Sequence, residues 1–311
     1  MLCVPNGLIL QSFAIGLMKK ITDLLTYILF RAFVFVYRFI PFRVMYIFSD
    51  GMFYLLYYIL RYRRDVVTTN LRNSFPEKPE QELKQIEKGF YHHLCDLLLE
   101  SIKSSAVSET ALRERYRIVD PEPMDSLYRQ GRPVIVVTGH YNNWEWGGIV
   151  GGYYLMHRPV GFYKPLSNPY MDRYIQKTRV KGRSVLASIT RTTEFFAMPM
   201  EEPAVFYMIS DQSPSSPRLA YWVTFMNQDT ATLHGPEKYA RLYNYPVLFM
   251  DVQKLKRGKY TFGFELLAEN PNTFRTGEIT ALFMKRLERQ IREKPEYYLW
   301  SHRRWKLKKP L

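Results

Sequence analysis

The stretch Pro133-Val-Ile-Val-Val137-Thr-Gly-His140-Tyr-Asn-Asn-Trp144-Glu145-Trp146 holds a strand, a helix start and the turn between them. Residues 133–137 form an apolar, β-branched run, short enough for a strand buried on both faces. From Trp144 to residue 155 the pattern is that of the helix leaving it. The turn presents an imidazole at His140 and a carboxylate five positions later, at Glu145. Ligands and catalytic groups gather where such strands end, because backbone donors point into open space there. A His held by a carboxylate can take a proton from a hydroxyl and so activate an oxygen nucleophile. The same residues also suit a capped turn with a satisfied polar His, and the motif alone does not separate the two.

Working outward, strands and helices alternate from Tyr116 on. Strands are expected at 116–119, 133–137, 159–163, 184–187 and 204–210, with helices starting near Trp144, Asn168 and Thr192. Residues 246–254 and 260–267 flank Arg257-Gly258 and predict a hairpin. Helical patterns at 234–243 and 276–293 complete an α/β sandwich around a mostly parallel sheet. Polar clusters fall at successive strand ends. Tyr163-Lys164-Pro-Leu-Ser-Asn168-Pro169 follows one strand, with Asn168 placed to cap a helix carrying Asp172, Arg173 and Arg179. Asp211-Gln212 follows another, and Ser213-Pro-Ser-Ser-Pro217 has the composition of a lid or substrate loop. Gly235-Pro236-Glu237 opens a further helix, whose N-terminus suits an anion. Each cluster is weak alone; their joint position marks a site.

Length and charge narrow the class. A chain of 311 residues suffices for one large α/β domain with an N-terminal appendage. A net charge of +15 favours anionic partners: phospholipid headgroups, phosphorylated glycolipids or an acidic carrier protein. Nucleic acid is not expected, since zinc-finger spacing, an RNP motif and a basic recognition helix are all missing from the sequence. Cys3 and Cys95 cannot build a disulfide framework or a cysteine-rich zinc site, which points to a reducing compartment. His92, His93 and Asp96 lie on a predicted helix over 77–105. Adjacent positions on a helix diverge by about 100°, so the two imidazoles do not converge with Asp96 and no metal site is expected.

The N-terminal segment up to residue 60 is apolar. Residues 24–60 are dominated by Leu, Ile, Phe, Tyr and Val, yet Arg31, Arg38, Arg43 and Asp50 leave no uncharged run of spanning length. Arg31 and Arg38 are seven apart and share a helix face, opposite one rich in Phe, Leu and Val. That predicts a membrane-associated segment, either an amphipathic helix in the interface or a short tilted span with snorkelling arginines. Arg61-Tyr-Arg-Arg64 closes it with a basic cluster suited to cytoplasmic-side headgroups. Met18-Lys-Lys20 resembles a natural start, so residues 1–17 are expected to be a misannotated extension, 18–64 an anchor and 65–311 the enzymatic domain.

The ordered motifs resemble those of the bacterial lipid A biosynthesis acyltransferases, the lauroyl/myristoyl transferase family, from about Tyr27 to Lys308. They are Asn70-Leu-Arg-Asn-Ser-Phe-Pro76, His140-Tyr-Asn-Asn-Trp-Glu145 as a His-x4-Glu signature, and Tyr163-Lys-Pro-Leu-Ser-Asn-Pro169. Asp211-Gln212, His234-Gly-Pro-Glu237 and Trp300-Ser-His-Arg303-Arg304-Trp-Lys306 complete the set. Lys164 stands where many relatives carry Arg, and His234 where Thr is common.

The resemblance implies a glycerol-phosphate-acyltransferase-like α/β sandwich that moves an acyl group from a thioester to a hydroxyl (EC 2.3.1), without a cofactor. It implies His140 as general base and Glu145 as the carboxylate orienting it. Arg179 is then the candidate for the oxyanion and Lys164 for a substrate phosphate, while Asp211 and Gln212 wall the site or position these cations. Arg303 and Arg304 are candidates for phosphate contacts, or for structural roles beside Trp300 and Trp305. A Gly-x-Ser-x-Gly nucleophile elbow is missing, in keeping with direct attack. The expected partners are acyl-carrier protein, an anionic glycolipid acceptor and the cytoplasmic face of the inner membrane. An aminolipid or lysophospholipid acceptor, and a non-catalytic basic membrane scaffold, are the alternatives.

Overall fold

The computed structural model describes the backbone of residues 6–180, 182–217 and 220–310, and their side chains from residue 16 on. The chain opens with α1 (Asn6–Arg38), α2 (Phe42–Tyr54), α3 (Arg64–Ser74), the long α4 (Glu80–Ser104) and the short α5 (Glu109–Arg115). There follow β1 (Tyr116–Ile118), α6 (Glu122–Arg129), β2 (Val134–Thr138), α7 (Trp144–Tyr154), β3 (Arg158–Tyr163) and α8 (Pro169–Arg179). Then come β4 (Val185–Ser188), α9 (Thr192–Ala197), β5 (Ala204–Ile209), β6 (Ala220–Phe225) and β7 (Gln228–Leu233). The chain closes with α10 (Gly235–Tyr243), β8 (Val247–Lys256), β9 (Lys259–Ala268) and α11 (Glu278–Glu293).

Seven strands form one sheet in the order β1-β9-β8-β2-β5-β3-β4. All neighbours pair in parallel except the β8–β9 hairpin, so the sheet is mostly parallel, as expected. β2 is central and every one of its residues is buried. Its side chains alternate between the two layers. Val134 and Val136 join Trp146, Ile149 and Val150 of α7, whereas Ile135 and Val137 join Phe283 and Leu287 of α11. Each such side chain contributes about 1.5–3 kcal/mol on full burial. That is why an unbroken β-branched run sits here and an alternating one does not.

The antiparallel pair β6–β7 was not foreseen. Its turn places Met226 and Asn227 at φ 52° and 61°, the mirror-image geometry that hairpins prefer. Asn-Gly is the usual signal for that turn; a methionine in the first position hides it. α3, α5 and α6 were likewise not anticipated; they are short, and polar faces dominate them.

The N-terminal segment is helical but consists of two α-helices and a π-helical turn, Leu55–Ile59. α1 runs unbroken through the expected boundary between residues 17 and 18; residues 1–5 of that stretch lie outside the described residues. Large apolar side chains face outward along it, among them Leu29, Phe35, Phe39, Ile47, Phe48 and Ile59. Among the described residues no helix is long and apolar enough to cross a membrane. The opposite face meets the body of the protein. Arg31 lies over the Tyr174 ring of α8 at 4.9 Å, and Val34 and Tyr37 are buried.

Polar fasteners secure the segment. Tyr46 Oη donates to Glu100 Oε1 at 2.7 Å and Ser49 Oγ to Asp96 Oδ1 at 2.7 Å. The Arg257 guanidinium, in the β8–β9 turn, bridges Asp50 and Asp96. Buried Lys103 donates to the carbonyls of Tyr37, Arg38 and Ile40 at 3.0, 2.9 and 2.7 Å, capping the end of α1. Lys103→Met removes the donor from all three carbonyls at once. We expect a stability loss of about 1–3 kcal/mol, the cost of stranding buried acceptors, read as a lower urea midpoint with an unchanged m-value.

Candidate active site

The turn after β2 is built by close packing and by three backbone tethers. A Cβ on Gly139 would come within 2.7 Å of Leu287 Cδ1, so the smallest residue is required there. Asn142 takes the left-handed conformation (φ 53°) and its amide donates to the Val252 carbonyl at 2.7 Å. Asn143 caps α7, its Oδ1 accepting from Trp146 N–H at 2.9 Å. From the C-terminal segment, Leu299 N–H donates to the His140 carbonyl at 3.1 Å. The result is an imidazole held at the carboxyl end of the central strand.

Asp211 is the carboxylate that holds it. Asp211 Oδ1 stands 2.6 Å from His140 Nδ1, and Oδ2 accepts from the His140 backbone N–H at 3.0 Å. Strand register explains the pairing. β2 and β5 are neighbours with Thr138 opposite Ile209, and two residues further along each strand lie His140 and Asp211. The expected orienting group, Glu145, is engaged elsewhere: both its oxygens accept from Arg179 Nη2, at 2.8 and 2.7 Å. His140 and Glu145 are separated by a turn whose residues point different ways. Trp144 stands between them, its ring edge-on to the imidazole at 5.0 Å. Glu145 acts on His140 only through its charge.

The protonation pattern follows from the partners. A carboxylate can only accept, so His140 Nδ1 carries the hydrogen and Nε2 holds the lone pair in the neutral ring. Gln212 Nε2 lies 3.1 Å from that nitrogen and donates to it. Burial alone would lower the His140 pKa, but the charge and hydrogen bond of Asp211 and the charge of Glu145 outweigh it and raise the pKa above the usual imidazole value. For Asp211 burial acts upward, yet His140 and the Arg304 guanidinium hold the carboxyl below its ordinary range. The Tyr298 hydroxyl also bonds this carboxylate. Asp211 is therefore ionised, and His140 is a strengthened base aimed away from it.

The other expected residues separate. Arg304 is buried, donates from Nη1 to the Ala231 carbonyl at 2.6 Å, and supports Asp211 from behind. Its guanidinium is buried, and its Nε and Nη2 have no hydrogen-bond partner among the described residues. Arg303 is exposed, and so is Lys164, one residue beyond the end of β3. His92 stacks on Phe53 at 3.5 Å, while His93 faces the Lys254 ammonium at 3.2 Å. Among the described residues no group of side chains is arranged to hold a metal ion.

Residues that the sequence did not single out complete the surroundings. Glu100 is fully buried and its pKa is pushed up by burial to about 7. It accepts from Tyr46, Tyr260 and Asn143 at 2.7, 2.9 and 2.6 Å, tying the cap of α7 to α2 and β9. Two cavities flank Trp144 and Glu145. One, of about 120 Å³, runs under α7 between Ile149, Phe162, Leu186 and Arg179. The other, of about 610 Å³, lies between α4 and the C-terminal segment, with Gln212 and His302 at one end and Leu94, Leu97 and Leu98 along its wall. His302 is held neutral, its pKa depressed by burial to about 4.

Comparison with known proteins fits this architecture. The family model described as bacterial lipid A biosynthesis acyltransferase matches residues 18–307, nearly the whole chain. The chain belongs to that family. It is an acyltransferase, and its relatives imply a lipid acceptor. Two such relatives are the lipid A biosynthesis palmitoleoyltransferase of Escherichia coli K12 and the lipid A biosynthesis acyltransferase of Shigella flexneri. Each is 27% identical over 254 residues, covering 79% of this chain and 80% of the relative.

In the proton-accepting role expected of it, His140 works in its neutral form, so kcat/KM should rise with pH through a midpoint above 6.5, the ordinary imidazole value. Asp211→Asn removes the largest upward influence and leaves burial acting downward. The limb then moves to lower pH, and its plateau falls by roughly 10²-fold or more as the ring loses its tautomer and orientation. A pH profile of the two enzymes checks both; an unmoved midpoint would mean that Asp211 does not govern the base.

Proposed function

We propose that the protein transfers a fatty acyl chain from the thioester of acyl-carrier protein to a hydroxyl of a lipid A precursor, at the cytoplasmic face of the inner membrane. The observation carrying this reading is the Asp211–His140–Gln212 chain at the carboxyl ends of β2 and β5. In the reaction the acceptor hydroxyl displaces the Gln212 amide from His140 Nε2 and gives up its proton there. The oxygen attacks the thioester carbonyl, the tetrahedral oxyanion collapses, and the carbon–sulfur bond breaks. The imidazolium then returns the proton to the leaving thiolate. No covalent enzyme intermediate is needed, and Asp211 stabilises the imidazolium throughout.

Arg179 is the cation we assign to the developing oxyanion, and its ion pair with Glu145, in the first turn of α7, supports that reading. The N-terminal end of a helix is a favourable place for that carboxylate. Lys164, exposed and one residue beyond Tyr163 in the wall of the narrower cavity, is free to meet a substrate phosphate. The outward apolar faces of α1 and α2 support an interfacial seat on the bilayer, where an amphiphilic acceptor resides. The net charge of +15 supports attraction both to anionic lipid and to an acidic carrier. Acylation of an aminolipid or lysophospholipid would use the same chemistry, and mass spectrometry of lipid A and polar lipids from a deletion strain distinguishes the acceptors.

His140→Ala should lower kcat by at least roughly 10²-fold, the usual contribution of a general base, while the thermal melt stays close to wild type. Near-normal turnover by the folded variant would end the mechanism, and it is the result a non-catalytic scaffold requires. The carrier-protein donor gives a second expectation. Its KM should rise with ionic strength as salt screens the basic surface, whereas the KM for a pantetheine thioester lacking the carrier should change little. Equal salt dependence for the two donors would remove the carrier from the reading.

A further inference from the structure

The link between the π-helical turn and α3 contains two non-glycine residues in the left-handed conformation, Arg61 (φ 47°) and Arg63 (φ 53°). Bulky L-residues rarely adopt it, and a protein keeps such a backbone only where its surroundings hold it. Here they do. Tyr62 N–H donates to the Leu56 carbonyl at 3.0 Å, Tyr91 Oη donates to the Tyr62 carbonyl at 2.5 Å, and Arg64 N–H donates to the Arg61 carbonyl at 3.2 Å. The strain has a geometric result: Arg63 is turned back into the wall of the 610 Å³ cavity that also contains Glu145, Gln212 and His302.

The Arg63 guanidinium is positioned but not consumed there. One Nη1 hydrogen bond to the Ser301 carbonyl, 3.0 Å long, fixes its place. Among the described residues no carboxylate lies within ion-pair distance of it. The neighbouring Arg64, by contrast, pairs with Glu87 at 3.2 Å. A guanidinium has five N–H donors in a planar fork that suits two oxygens of a phosphate. Leu56, Leu94, Leu97, Leu98 and Leu299 supply much of the remaining wall, with Tyr62, Trp144 and two serines, and outward-facing Leu55, Ile59 and Leu60 lie close in sequence. A leucine wall with one unneutralised cation at its edge suits an amphiphile with a single anionic group close to its apolar part.

We propose that Arg63 is a specificity-determining residue that binds the phosphate of the acceptor lipid and so places the acceptor hydroxyl at His140. The proposal rests on the acyl-transfer reading given above. It assigns the larger cavity to the acceptor, on the Gln212 side of the base, and makes the strained link at residues 61–63 part of the recognition site.

The test compares wild type, Arg63→Asn and Arg63→Lys on two acceptors, a phosphorylated lipid A precursor and the same glycolipid after phosphatase treatment. Asparagine tolerates the left-handed backbone better than most residues, so R63N removes the guanidinium without adding strain; thermal melts verify the fold. We expect R63N to lower the preference for the phosphorylated acceptor, as a ratio of kcat/KM values, at least tenfold, chiefly through KM. R63K keeps charge but not the fork and should fall between; it carries the test should R63N fail to fold. An unchanged ratio in the folded variants overturns the proposal and leaves Arg63 a pin for Ser301. A parallel assay with acyl-pantetheine and acyl-phosphopantetheine donors covers the other source of phosphate: if R63N shifts that ratio instead, the donor owns the cation and the proposal fails. Failure of the underlying reading looks different, because wild-type enzyme would then acylate neither acceptor.

Discussion

A single buried carboxylate, Asp211, fixes both the ring and the backbone of His140, and the geometry around it answers to that contact. An ionised group inside a protein is costly unless its lone pairs are satisfied and its charge is balanced. Asp211 meets both conditions through the His140 imidazole and N–H, the Tyr298 hydroxyl and the charge of buried Arg304. Those groups come from two distant parts of the chain, the turn after β2 and the C-terminal segment. β2 must lie beside β5 in one particular register, and the C-terminal segment must fold back across the sheet end.

The second layer of the site explains why segments distant in sequence converge here. Glu100 on α4 accepts from Asn143, the cap of α7, and from tyrosines of α2 and β9. The Trp146 indole donates to the Glu100 carbonyl at 3.0 Å. Leu299 holds the His140 carbonyl, and Asn70 on α3 donates to the carbonyls of Trp300 and His302. Hydrogen bonds thus run from α2 and α3 through α4 and the C-terminal segment to the turn after β2. The N-terminal helices are consequently joined to the machinery of the site. They also build part of the larger cavity, through Leu56, Tyr62 and Arg63.

Much of the architecture was legible because burial imposes composition. The apolar run before His140, the alternation of strands and helices after Tyr116, and the Asn168 cap each express a local rule. Asn168 Oδ1 indeed accepts from Tyr170 and Met171 N–H. The partner of His140 was not legible in the same way. Glu145 is near in sequence, whereas Asp211 becomes near only once strand order and register are known. The buried role of Arg304 was hidden for a related reason. Beside aromatic residues an arginine can face a substrate or a core carboxylate, and only the fold-back of the C-terminal segment decides which. The β6–β7 hairpin escaped because its turn uses Met226 where the usual chemistry is asparagine or glycine. Its buried strand β7 is built on Thr230, Ala231 and Thr232, not on large apolar residues. Arg63 carried no local signal, since left-handed backbone at an arginine is a consequence of tertiary packing.

The two acids near His140 divide their work according to distance. Asp211, in contact, decides which nitrogen carries the proton and favours the protonated ring. Glu145, not bonded to the ring, raises the base further by its charge while both its oxygens accept from Arg179. Proton abstraction is most efficient when the pKa of the base lies near the operating pH, strong enough to pull and still mostly free. The Glu145–Arg179 pair leaves Asp211 as the carboxylate bonded to the ring, and in the proposed transfer it holds a guanidinium beside the turn. A signature that spaces a His and a Glu five apart is then intelligible without contact between them: one turn positions the base and the anchor for its electrostatic partner together.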